Sequence, residues 1–130
     1  MSRHISAFAI VVPDYDEGIA FYVERAGFHL IEDTDMGGGK RWVLIAPSPD
    51  AETRILLAEA KGDAQTAAIG NQTGGRVGFF LHSDDFDADY GRMSDAGVTF
   101  DETPRIEPYG KVAVWRDPWG NRWDLLQLKT

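Results

Sequence analysis

Hydrophobic and polar residues alternate in short blocks along the chain, and the blocks recur. An apolar run, Ala7-Phe8-Ala9-Ile10-Val11-Val12, reads as a strand and leads through Pro13-Asp14-Tyr15-Asp16 into an amphipathic stretch that closes at Ala26-Gly27. About seventy residues later, Val77-Gly78-Phe79-Phe80-Leu81-His82 leads through Asp84-Asp85-Phe86-Asp87 into a second amphipathic stretch that closes at Ala96-Gly97. Each stretch has the grammar of a helix. An Asp at the start caps orphan amides, apolar side chains follow at helical spacing (Ile19, Phe21, Tyr22 and Val23; Tyr90 and Met93), and a Gly follows the end.

The recurrence continues beyond the helices. Phe28-His29-Leu30-Ile31 corresponds to Val98-Thr99-Phe100, the run Lys40 to Pro47 to the run Lys111 to Pro118, and Arg54-Ile55-Leu56-Leu57 to Arg122-Trp123-Asp124-Leu125. Both halves therefore read β-α-β-β-β. Gly37-Gly38-Gly39 and Pro47-Ser48-Pro49-Asp50 supply hairpin connections. Lys61 to Gly75, rich in small and polar residues, reads as a connector with a short helical turn at Gln65–Ile69. The expected organisation is one domain over residues 1–130, with a first module over about 3–60, a connector over about 61–75 and a second module over about 76–130.

Composition narrows the function. Among 130 residues, 43% are aliphatic or aromatic and 26% charged, a globular mix too apolar for a disordered tail. The net charge of −8 excludes nucleic acid as a partner, because phosphate binding rests on clustered Lys and Arg. It divides evenly: residues 1–62 carry 6 basic and 10 acidic side chains, residues 63–130 carry 7 and 11, so neither half is an electrostatic arm. With no cysteine, disulfides, thiolate nucleophiles and sulfur-bound zinc are excluded. The apolar run Ala7–Val12 stops at Pro13 after six residues, too short for a signal h-region and far short of the ~20 needed to span a bilayer, so no membrane role and a cytoplasmic location are expected.

Two phrases resemble a known family. Pro13-Asp14-Tyr15-Asp16-Glu17-Gly18-Ile19-Ala20-Phe21-Tyr22, closing at Gly27-Phe28, and Asp117-Pro118-Trp119-Gly120-Asn121 before a final apolar strand are similar to the vicinal oxygen chelate superfamily. That superfamily includes glyoxalase I, bleomycin-resistance proteins, fosfomycin-modifying enzymes and extradiol dioxygenases. The resemblance covers about residues 4–128. It implies an α+β fold of two paired βαβββ modules forming an open, curled mixed sheet around a cleft, and a homodimer. Curled modules with unpaired edges need such a partner to close them.

Metal-using members of that superfamily carry His or Glu on the first and last strand of each module. Carried over residue by residue, those positions fall on Ala7, Leu56, Gly78 and Asp124, and three of the four have no donor atom. No metal and no cofactor are expected. His82 shares a strand with Gly78 and projects by the two-residue period to the same face, where it is a candidate for ligand contact or, more weakly, for catalysis. His4, near a terminus, and His29, at a strand edge, read as structural.

Small residues at Ala7, Ala9 and Gly78 would widen the cleft, with Phe80, Trp115, Trp123 and Leu56 as apolar walls and Asp124 and Tyr109 as orienting groups. Asp124 is the second weak catalytic candidate, as a general base raised by apolar neighbours. Its competing role is a structural salt bridge with Arg122 or Arg76. Asp84, Asp85, Asp87 and Asp89 read as capping and a solvated face, because calcium-loop spacing is missing. The favoured function is a metal-free small-molecule-binding protein, similar to the bleomycin-resistance branch, that takes an aromatic or cationic ligand. The alternatives are a metal-dependent lyase, isomerase or dioxygenase, and a subunit or regulatory partner with a vestigial cleft.

Overall fold

The computed structural model describes residues 2–130, in two compact units that divide after Ile69. The first unit runs β1 (Ala7–Val12), α1 (Tyr15–Ile19), a π-helical turn (Ala20–Arg25), β2 (His29–Gly37), β3 (Lys40–Ala46), β4 (Arg54–Glu59) and α2 (Gly62–Ala68). Its sheet has the order β1-β4-β3-β2, with β1 parallel to β4 and the other pairs antiparallel. The second unit runs β5 (Val77–His82), α3 (Phe86–Asp95), β6 (Thr99–Phe100), β7 (Arg105–Glu107), β8 (Gly110–Arg116) and β9 (Arg122–Leu128). Here β5 is parallel to β9, β9 antiparallel to β8, and β6 and β7 both pair with β8. The β-α-β-β-β pattern therefore holds in the first unit. In the second, the strand expected after Gly97 is cut to two residues, and the three-residue β7 takes over the far end of β8.

The caps form as the sequence grammar dictates. Asp14 Oδ1 accepts the Glu17 N–H at 3.0 Å and Asp85 Oδ1 accepts the Ala88 N–H at 3.2 Å, each satisfying a donor that a helix start would otherwise leave open. Gly27 and Gly97 follow the helical segments with φ of 85° and 92°. The remaining aspartates after β5 are solvent-side partners: Asp87 takes the Lys111 ammonium and Asp89 binds Ser83 and Arg92. Helix α2 falls across the connector, slightly ahead of the turn expected there.

Each sheet buries one face against its helix. In the first unit α1 lies on Val12 and Leu57, whose methyls stand 3.2–3.3 Å from where a Cβ on Gly18 would project. Strand alternation puts Ile10, Val43, Ile45 and Ile55 on that side, and all four are buried. In the second unit Gln127 Oε1 accepts the Phe86 N–H and Lys111 reaches Asp87, so odd-numbered residues of β8 and β9 face α3. Trp115 and Trp123 stack there at 4.8 Å, Phe79 lies 5.0 Å from Trp123, and Tyr90 packs on Phe100 at 4.5 Å. The two indoles, with Phe86, Met93 and Leu125, are buried in the core of the unit, and Phe79, Tyr90 and Phe100 pack half-buried around it.

Two close contacts pin the second unit. Asp117, 2% exposed, accepts the N–H groups of Trp119, Gly120 and Asn121 on Oδ1 at 2.9–3.1 Å and the Asn121 amide on Oδ2 at 2.7 Å. Gly70 lies so near this turn that a Cβ would come within 1.7 Å of the Trp119 carbonyl oxygen, and its φ of +71° adds strain for any other residue. Asp117→Ala, which strands buried donors, is expected to cost about 2–4 kcal/mol in urea denaturation, and Gly70→Ala at least about 1–3 kcal/mol.

Candidate functional site

The face of the second sheet turned away from α3 carries its chemistry. Because alternate residues share a side, even-numbered positions of β8 and β9 point this way: Val112, Val114 and Arg116, and Arg122, Asp124 and Leu126. On β5, Phe80 is the partner of Asp124 and His82 the partner of Leu126. A bulge between Val77 and Phe79 sets that phase. Phe80 is 63% exposed, an unusual place for a phenyl ring. His82 is exposed, with Nδ1 3.9 Å from Asp84 Oδ1.

Asp124 stands in the middle of this face, half-buried, and its Oδ1 is buried without a hydrogen-bond partner. An unsatisfied buried acceptor costs about 1–3 kcal/mol, so its retention asks for a reason. Burial pushes the Asp124 carboxyl above its ordinary value. Arg105 opposes that shift, Glu102 adds to it, and Arg122 opposes it less. Neither arginine bonds Asp124: the N–H groups of Arg105 are directed elsewhere, and the buried Nε of Arg122 makes no hydrogen bond. Arg105 Nε donates to the two carboxylate oxygens of Glu102 at 3.0 and 3.1 Å, its Nη1 lies 3.1 Å from Glu107, and the Tyr109 side chain bonds it as well. Glu102 is itself held by the Val114 N–H at 3.0 Å. Arg122 Nη1 donates to the Gly75 carbonyl, and its Nε lies 3.6 Å from Asp101 Oδ2. The salt bridge expected between Asp124 and Arg122 or Arg76 is therefore absent among the described residues; Arg76 Nε points to the Val77 carbonyl instead.

Phe80, His82 and Asp124 come together on this face, and Tyr109 reaches its margin through Arg105. Trp115 and Trp123, expected as walls of a ligand slot, are placed differently: at 0% and 3% exposure they lie on the opposite side, under α3. The reason is strand geometry, since residues 123 and 124 of one strand cannot share a face. Leu56 is half-buried in the first unit, beside Ala9 and Leu44, on the side of its sheet away from α1. The Arg105–Glu102–Glu107 cluster went unforeseen, although three closely spaced charges before a hairpin are a visible signal.

A divalent ion is implied by the metal-using branches of the superfamily, and the positions carried over from them are poor in donors. Ala7, Leu56 and Gly78 offer no donor, and among the described residues no group of three or more His, Asp or Glu side chains converges. Gly78 does not widen a cavity either. The side chain of Thr73, anchored by its Oγ1–H on the Arg76 carbonyl at 2.7 Å, fills the space a Cβ at 78 would take, with Cγ2 only 2.2 Å from that point. A hollow of about 390 Å³ at the β2–β3 hairpin is lined by Asp33, Asp35, Gly37, Gly38, Gly39 and Arg41. Its Asp33 and Arg41 already pair at 2.7 Å, which holds the Asp33 carboxyl below its ordinary value.

Two mixed sheets, each backed by a helix and built on a repeated strand–helix plan, define an α+β protein of two modules. A family model described as the Glyoxalase/Bleomycin resistance protein/Dioxygenase superfamily matches residues 4–125, and the chain belongs to that superfamily. An uncharacterized protein of Shewanella frigidimarina (strain NCIMB 400) is 49% identical over 129 residues, covering 98% of this chain and 96% of the relative. Among solved structures, UcmS2 is 31% identical with a TM-score of 0.83, covering 97% of this chain and 98% of its own. TnmS3, an antibiotic binding protein from Streptomyces sp. CB03234, is 34% identical with a TM-score of 0.81, covering 98% of each chain. Among the described residues no helix is long and apolar enough to cross a membrane.

The raised Asp124 carboxyl has a pH signature. Over the window between its unfolded and folded titration the native state holds a proton that the unfolded chain has lost, so stability falls as pH rises through that window. Asp124→Asn removes this penalty. In paired urea titrations the variant should gain on the wild type as pH climbs past the ordinary carboxylate range, and the two should converge below it.

Proposed function

We propose that this protein binds a planar, largely apolar small molecule without a metal ion, on the face of the second sheet that holds Asp124 and Phe80. The observation that carries the reading is the pairing of a buried, unpartnered carboxylate oxygen with an exposed aromatic ring on adjacent strands, where the carried-over metal positions otherwise hold Ala, Leu and Gly. An aromatic surface with one polar group is what a small-molecule site needs for affinity and orientation. The likeness to an antibiotic-binding protein at 34% identity over nearly the full chain supports the same reading. The acidic balance of the chain favours neutral or cationic ligands over anions. His82, two residues from Phe80 on the same face, and Tyr109 are margin contacts in this reading.

A thermal-shift screen of planar natural-product antibiotics and planar cations tests it. A true ligand at one hundred times its Kd contributes about 2.7 kcal/mol, a rise of several degrees. Phe80→Ala should weaken that ligand about tenfold while changing stability by less than about 1 kcal/mol, because the ring is mostly in solvent. Near-stoichiometric nickel, zinc, manganese or iron in protein purified without chelator would overturn the reading in favour of a metal-dependent enzyme.

A further inference from the structure

We propose that the ligand carries a phenolic O–H or an aromatic N–H and places that hydrogen-bond donor on Asp124 Oδ1. The inference rests on the small-molecule reading above and adds the chemical class of the ligand's polar edge. Three observations lead to it. Asp124 Oδ1 is a buried acceptor with no partner in the protein. The two cations near enough to influence it leave it unpaired: Arg105 is clamped by Glu102, Glu107 and Tyr109, and Arg122 donates through Nη1 to the Gly75 carbonyl while its buried Nε, 3.6 Å from Asp101, makes no hydrogen bond. The neighbour on the next strand is the exposed Phe80 ring, with the Val114 side chain on the other side.

This geometry selects by charge as well as by hydrogen bonding. An anionic ligand would meet Asp124, Glu102 and Glu107 and find the Arg105 fork already occupied by carboxylates. A purely apolar ligand would cover Oδ1 and leave it without water or partner. A donor-bearing aromatic satisfies the oxygen and stacks its ring against Phe80 in one pose. The network that clamps Arg105 thus acts as a positioning element, because it withholds the obvious counterion and leaves the carboxylate open to a ligand.

Matched probes separate this inference from the reading beneath it. 6-Hydroxyflavone against 6-methoxyflavone, and carbazole against N-methylcarbazole, differ within each pair only in whether the donor is methylated. By fluorescence titration the wild type should bind the donor of each pair about tenfold more tightly. In Asp124→Leu that ratio should fall to about one, through loss of affinity for the donors with the methylated probes unchanged within about twofold. Asp124→Asn, which keeps an acceptor oxygen and the side-chain shape, should retain part of the preference, and thermal melts confirm that each variant is folded. Equal binding within both pairs, as when a water already occupies Oδ1, overturns the inference alone. So does a preference that survives in folded Asp124→Leu. Absence of binding by all four probes overturns the aromatic-ligand reading and this inference with it.

Discussion

The buried carboxylate of Asp117 sets the geometry on which the second unit depends. Three consecutive backbone N–H groups and the Asn121 amide converge on it, closing the turn between β8 and β9 with no buried donor left open. That turn fixes the pairing of Trp115 with Trp123 and of Val114 with Asp124. A slip of one residue would exchange the two faces of β9, placing an indole where the carboxylate stands and a carboxylate in the core. One turn therefore decides both what packs under α3 and which groups stand on the opposite face.

A second layer of control is electrostatic. Around Asp124 the protein places arginines on β7, β8 and β9 itself but gives each another carboxylate, Glu102 and Glu107 for Arg105 and Asp101 for Arg116 and Arg122. These pairs are partly exposed, and each contributes little stability by itself. Their effect is directional. They direct charge away from Asp124, whose Oδ1 stays without a hydrogen-bond partner, as does the buried Nε of Arg122 two residues earlier.

Much of this was legible in the sequence. The repeat placed the strands and helices, since capping residues, terminal glycines and apolar periodicity are local signals that tertiary contacts only reinforce. Asp124, Phe80 and His82, all named from the sequence, share one face of the second sheet because alternation is regular beyond the β5 bulge. The same rule separates Trp123 from Asp124, so grouping both on one surface gave aromatic content more weight than strand parity. Other features could not be read at all. The β5 bulge, the seating of Thr73 on Gly78 and the alignment of Arg105 with Val112 all depend on contacts between segments whose approach no local pattern encodes.

Thr73 bears on how this scaffold could change. Installing a histidine on β5 at position 78 would be the obvious first step for anyone converting it into a metalloenzyme, or for a lineage drifting toward one. That step forces Thr73 to move, because the new side chain would begin inside an existing one. A smaller residue at position 73 would ease that step, so in this chain the side chain that position 78 can carry depends on a residue of the connector.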